Sequence, residues 1–122
     1  MMNRVLSKVY ILQLHQQKWY VGTTKNIETR INQHIRGRGS AWTQIYRPIN
    51  IHHVVDGGNP IEMWYTLKFM DIYGIENVRG GPWVKPRLSK PTKKEIDRIL
   101  MFFGNKCFKC GEKGHFSAQC KK

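Results

Sequence analysis

Acidic side chains are scarce. Asp and Glu total 8 against 21 Lys and Arg in 122 residues, a formal net charge of +13. A chain this small and this basic expects a polyanion as partner, nucleic acid first and an anionic membrane surface second. Two further absences count against the membrane: there is no lipidation motif and no long apolar run. The first hydrophobic stretch, residues 9–14, is too short for a signal-peptide core and has no small-residue cleavage site after it. An intracellular setting, nucleus or cytoplasm, is therefore expected rather than secretion. Cysteine is nearly missing, with three residues that all lie between positions 107 and 120. An odd, clustered set excludes a disulfide framework and argues for metal ligation. Internal repeats and low-complexity tracts are absent as well.

What is present suits a packed fold. Hydrophobic residues make up 40% of the chain, enough for the core of one modest domain with a small appendage. Val9-Tyr10-Ile11-Leu12-Gln13-Leu14 reads as a buried strand, His15-Gln16-Gln17 as a turn, and Trp19-Tyr20-Val21-Gly22-Thr23 as the second strand of a hairpin covered on both faces. Asn26 is a cap for a first helix, with Glu28 near the positive end of its dipole. Ile27, Ile31 and Ile35 predict its buried stripe, and Arg30 and His34 share an adjacent face. Gly37 and Gly39 end it.

A loop with Trp42 leads to a third strand over residues 49–55, in which His52 and His53 are expected to point opposite ways. Asn59 and Pro60 read as the cap and first residue of a second helix running to Gly74, largely buried through Met63, Trp64, Leu67, Met70 and Tyr73. Asn77-Val78-Arg79-Gly80-Gly81-Pro82-Trp83 reads as an irregular basic loop. Thr92 to Glu95 fits a capping box for a third helix with Ile96, Ile99, Leu100 and Phe103 on one side and Gly104 as its stop. The expected architecture is α+β: a three-stranded antiparallel sheet flanked by helices over residues 1–104, followed by a separate unit over 105–122.

That second unit carries Cys107, Cys110, His115 and Cys120 in the spacing C-x2-C-x4-H-x4-C. Three thiolates and an imidazole supply the tetrahedral set that zinc prefers, and a site closed by four protein ligands is structural rather than catalytic. So short a segment has no core of its own, so metal binding must supply its folding energy. The segment resembles the CCHC zinc knuckle of nucleocapsid and RNA-binding proteins. Phe108 and Phe116 then either stack on unpaired bases or pack in a miniature core. Lys109 and Lys113, with Lys106, Lys121 and Lys122, would meet phosphates.

The N-terminal two thirds resemble the GIY-YIG nuclease family. The resemblance rests on Lys8-Val9-Tyr10, then Tyr20-Val21-Gly22, then Arg30 and His34, then Glu62. The first motif departs from the family in having Lys8 and Val9 where a glycine and an isoleucine are usual. Asn77-Val78-Arg79-Gly80-Gly81 followed by a knuckle is similar to a subgroup that joins this nuclease core to a CCHC unit.

The resemblance implies roles. Tyr10 is the candidate general base toward the attacking water, with Tyr20 beside it. Arg30 pairs with the scissile phosphate, His34 binds phosphate or relays a proton, and Gly22 leaves room for the substrate backbone. Hydrolysis needs an activated water and a stabiliser of phosphate charge. The few carboxylates are scattered along the chain, which suits one hard Mg²⁺ or Mn²⁺ on Glu62 better than a two-metal site. Each residue also has a plain reading. The tyrosines are then strand aromatics, Arg30 and His34 a solvated helix face, and Glu62 half of a capping box with Asn59. Arg79 either meets a phosphate or locks a turn, and Trp42 and Trp83 either touch nucleic acid or plug a core edge. The implied activity is cleavage of DNA, favoured over RNA on family grounds, with branched or single-stranded substrates in view. The alternative is an inactive nucleic-acid-binding protein or chaperone.

Overall fold

The computed structural model describes residues 6–102; the zinc-ligand set, Phe108, Phe116, Lys109, Lys113, Phe103 and Gly104 lie outside them. Its elements are β1 (Lys8–Leu14), β2 (Lys18–Thr24), α1 (Ile27–Ile35), α2 (Ala41–Ile45), β3 (Pro48–Asp56), α3 (Asn59–Tyr73), β4 (Val78–Gly80) and α4 (Lys90–Phe102).

The expected hairpin is present. β1 and β2 pair antiparallel, with Tyr10 opposite Gly22 and Leu14 opposite Lys18. Gln16 and Gln17 both take φ of 61°, the left-handed geometry that a tight hairpin reversal needs. β3 pairs antiparallel with the other side of β1.

The sheet differs from expectation in having a fourth strand. Its order is β3-β1-β2-β4, and β4 runs parallel to β2, opposite Trp19, Tyr20 and Val21. Three residues flanked by glycine carry no readable alternation, so β4 owes its identity to the edge of β2 on which it docks. α2 was likewise expected as loop. Its five residues are capped by Ser40, whose Oγ accepts from the Thr43 amide at 3.2 Å.

The sheet separates two cores. On one face Val9, Ile11, Trp19, Val21 and Val78 meet Leu67, Met70, Ile96 and Leu100 of α3 and α4. On the other, Tyr10, Leu12, Leu14 and Tyr20 meet Ile31 of α1 and Trp42 of α2. The hairpin is thus covered on both faces, whereas β3 is an exposed edge strand.

Several expectations are corrected. Ile31 is buried but Ile35 is exposed, so the α1 stripe is narrower than its isoleucines suggest. In α3, Leu67, Phe69 and Met70 are buried while Met63, Trp64 and Tyr73 are exposed, because a helix lying on a sheet buries one side only. α4 begins a turn early, at a cap formed by Ser89, whose Oγ accepts from the Thr92 amide at 3.3 Å. His52 and His53 do not face opposite ways. A register shift between Ile11 and Leu12 inserts an extra residue in β3. The His52 ring then lies 5.1 Å from that of Trp19, and the His53 ring 6.2 Å from that of Tyr65. Trp42 and Trp83 are both buried and plug core edges.

Candidate active site

The site begins with two strand tyrosines on one face. Tyr10 and Tyr20 lie on neighbouring strands with ring centroids 6.2 Å apart. The phenol of Tyr10 crosses β2 where Gly22 has no side chain; a Cβ at that position would overlap the Tyr10 ring. Gly22 therefore makes room for the tyrosine itself rather than for substrate backbone.

α1 lies over these rings. Its first turn is fixed by Asn26, whose Oδ1 accepts from the Thr29 amide at 3.2 Å. This places Arg30 and His34 toward the sheet, one helical turn apart. His34 is fully buried, with its Nε2 2.8 Å from the Tyr10 hydroxyl and its Nδ1 2.8 Å from Thr43 Oγ1. Gly39 leaves the space that the imidazole occupies.

The proton positions follow from the donors. Thr43 Oγ1 donates its one proton to the Ser40 carbonyl at 3.1 Å, so it accepts from His34 Nδ1–H. The neutral ring then carries its lone pair on Nε2, which accepts from the Tyr10 hydroxyl. Burial, with a smaller contribution from the Arg30 charge, lowers the His34 pKa to about 4, which keeps the ring neutral near pH 7. Direct contact of His34 with a phosphate, one of its two expected roles, does not fit full burial. The hydrogen bond to Tyr10 fits the other, proton exchange.

Arg30 is partly exposed and lies against both phenols, and its Nη1 donates to Gln33 Oε1 at 2.8 Å. Burial lowers its pKa, but the Tyr10 and Tyr20 hydroxyls outweigh this and raise it. Burial is also the main reason that both tyrosine pKa values are raised. Next for Tyr10 comes its neighbour Tyr20, which pushes the same way, while Arg30 opposes. Both phenols are thus protonated near neutral pH.

Glu62 reaches this group from the other layer. It stands in the first turn of α3, and its Oε2 accepts from the Thr23 hydroxyl at 2.5 Å. Thr23 lies past the last residue of β2 that β4 covers, Val21. The β2 residues past Val21 are thus not covered by β4. The Glu62 charge acts on Tyr10 and Tyr20, the same two phenols that Arg30 touches. The capping-box alternative for Glu62 does not hold, because the α3 cap is Gly58 with no side-chain hydrogen bond.

Arg79, a candidate for phosphate contact, is not part of the site. It is 1% exposed, and its guanidinium donates to the carbonyls of Lys85, Ile75 and Pro86 at 2.7–2.9 Å. Its donors are spent on backbone carbonyls on either side of β4. Sequence reasoning missed Thr43 and Ser40, which orient His34. The only signal for them is Ser40-Ala-Trp-Thr43, a short cap pattern after the two glycines. The departures in the first motif have local reasons: Val9 belongs to the core under α3, and Lys8 is ion-paired with Asp56 of β3.

As a metal site, Glu62 offers one carboxylate, with Oε1 making no hydrogen bond among the described residues. No group of three or more His, Cys, Asp or Glu side chains comes together among those residues. Such a donor set fits a hard cation that keeps most of its waters, not a multi-ligand cage. No helix among the described residues is long and apolar enough to cross a membrane.

Two family models match the chain. Residues 7–75 match the model of the GIY-YIG catalytic domain, and residues 105–122 match that of the zinc knuckle. Among curated relatives, a UPF0213 protein of Oceanobacillus iheyensis is 33% identical over 63 residues, 52% of this chain and 59% of its own length. A UPF0213 protein of Staphylococcus aureus is 33% identical over 43 residues, 35% of this chain and 52% of its own. The chain thus spans little more than half the length of these relatives. No solved structure matches it. With more than half of its residues matched by that catalytic-domain model and with a zinc-knuckle match after it, the chain belongs to the GIY-YIG family of nucleases.

Proposed function

We propose that the chain is a metal-dependent endonuclease that hydrolyses phosphodiester bonds in DNA. In this reading residues 1–104 form the catalytic unit and residues 105–122 a zinc-held nucleic-acid grip. The observation that carries it is the Tyr10–His34 hydrogen bond beside Arg30, on phenols that also feel Glu62.

Arg30 holds the scissile phosphate, because among the described residues its fork of donors is the partly exposed cation that lies against both tyrosines. Tyr10 is too weak an acid at rest to serve as a free phenolate. It does not need to be one. As its oxygen takes a proton from the attacking water, its own proton passes to His34 Nε2, so the hydroxyl acts as a bridge. Arrival of a phosphate offsets the Arg30 charge that helps hold the His34 pKa down, which makes the imidazole a better acceptor when substrate is bound. Tyr20 shares Arg30 with Tyr10 and keeps the guanidinium from swinging away. Glu62, steadied by Thr23, would hold Mg²⁺ or Mn²⁺. When bound, that cation supplies positive charge to a phosphate oxygen.

Cys107, Cys110, His115 and Cys120 would hold structural zinc, in line with the knuckle match. Thiolate ligands need a reducing compartment, so we assign the activity to the cell interior. Phe108 and Phe116 would stack on bases, with Lys109 and Lys113 on phosphates.

Plasmid nicking tests the reading. The wild type should relax supercoiled DNA with Mg²⁺ or Mn²⁺, and Glu62→Gln should lose that activity by about 10³-fold while still binding DNA. A wild type that binds but cuts no DNA with either metal would leave a nucleic-acid-binding protein without hydrolytic function.

A further inference from the structure

The loop after β4 builds a second concavity next to the catalytic carboxylate. Except for Met63, its lining lies outside the stretch matched by the catalytic-domain model, which ends at residue 75. The cleft has a volume of about 530 Å³ and runs between α3, the segment 82–89 and the first turn of α4. That volume falls in the range of small-ligand sites, ~300–1,000 Å³. Its near end adjoins the site already described: a Cβ built on Gly81 would lie 3.5 Å from Cα of Met63 and 3.9 Å from Oε1 of Glu62.

The lining has two characters. Met63, Pro82 and Val84 form an apolar floor over the buried Trp83, and Met63 and Val84 are 37% and 44% exposed. Lys85 and Arg87 stand on the rim, and Ser89 and Thr92 bring the hydroxyls of the α4 start. One acid, Glu95, closes the side along α4. An apolar floor with a cationic rim suits a ligand that is flat and apolar at one end and anionic at the other.

The cleft is also held in shape. Buried Arg79 donates to the carbonyls of Lys85 and Pro86, and Gly80 and Trp83 exchange two backbone hydrogen bonds of 2.9 Å. A loop anchored at both ends loses little entropy when a ligand enters. The burial of Arg79 thus gains a purpose: it gives up phosphate contact to set the loop that makes the cleft.

We infer that this cleft is a nucleotide subsite that takes an unpaired nucleotide of the substrate, with its base on Met63, Pro82 and Val84 and its phosphate on Lys85 and Arg87. The inference rests on the nuclease reading for the identity of the strand that reaches it. A base inside a duplex is stacked on both faces and must be extruded at a cost before it can enter a cleft, whereas an unpaired base at a fork, flap or gap enters without that cost. The net charge of +13 favours a nucleic acid over an apolar peptide as occupant. The subsite makes single-stranded or branched DNA the preferred substrate class.

The test uses the zinc-loaded full chain without Mg²⁺ and measures fluorescence anisotropy on a labelled single strand and on a blunt duplex of the same sequence. The variant is Val84→Lys, at an exposed position, so the fold should be kept. General electrostatics makes an added lysine strengthen binding to both DNAs. Loss of the apolar seat instead weakens single-strand binding about 5- to 50-fold, with duplex affinity equal or higher. Arg87→Ala should lower single-strand affinity more than duplex affinity.

If Val84→Lys leaves both affinities unchanged, raises both or lowers both alike, the subsite is overturned. Nicking activity is scored separately. A wild type that cuts nothing, alongside a Val84→Lys split between the two DNAs, would remove the nuclease reading and keep the subsite. Cleavage without the split would do the reverse.

Discussion

The two faces of the β1–β2 hairpin are packed by different chemistry. Under α3 and α4 the contacts are aliphatic and aromatic, with Val9, Ile11 and Val21 against Leu67, Met70 and Ile96. Under α1 and α2 the apolar side chains share their layer with Tyr20 and with Tyr10, His34 and Thr43, the last three joined by hydrogen bonds. The first arrangement stabilises without regard to direction. The second gives less net stability per group and fails expensively if one partner is lost, but it fixes where each proton sits. The sheet thus separates stability from chemistry. Glu62 is the exception, a residue of the apolar layer's helix that is held by Thr23 and whose charge acts on the phenols of the other face.

The comparison breaks most visibly through Arg30. Arg30→Ala should lower the cleavage rate by about 10³-fold and shift the melting temperature little, since the side chain is partly exposed. Plasmid nicking and thermal unfolding on the same samples check this. If the variant unfolds as much as it inactivates, the two faces are not separable.

Ile96→Ala should do the opposite. Ile96 is fully buried on the apolar face, so truncation should cost about 2–5 kcal/mol, read from urea unfolding. The cleavage rate of the folded fraction should stay within about twofold of the wild type, below the ~1.4 kcal/mol that a tenfold change represents.

The smallest effect is a pH dependence from the polar face. His34 has a folded pKa of about 4 against an ordinary 6.5, so between these values the unfolded chain binds a proton that the folded chain refuses. Stability from this group is therefore complete above about pH 6.5 and lost as pH falls toward 4, by at most about 3 kcal/mol. His34→Gln should flatten that part of the stability profile. An unchanged slope in the variant would mean that the imidazole is not held neutral by its burial.

Much of this was legible before any coordinates. The Asn26 cap, the spacing of Arg30 and His34 and the hairpin were readable because each depends on neighbours within a few residues. The candidates Tyr10, Tyr20, Arg30 and His34, taken from the family pattern, come together in the structure. Their surroundings were not legible. Thr43 fixes the His34 tautomer from a helix of five residues, too short to show periodicity. β4 and the burial of Arg79 depend on an edge supplied by β2, some sixty positions earlier in the chain. The His52 bulge breaks the alternation from which facing is inferred.

Residue order alone determined what rests on local rules and bulk charge: strands from short apolar runs, helices from caps and periodic stripes, a zinc-ligand spacing near the C-terminus, and attraction to a polyanion. Only the tertiary structure decided that Glu62 acts on the tyrosines from the far layer, that Arg79 serves a loop instead of a phosphate, and that an apolar cleft opens beside the carboxylate. The reason is distance in the chain. Those arrangements join residues far apart in sequence, and which of them meet is settled by how the layers pack, not by any residue's own preference.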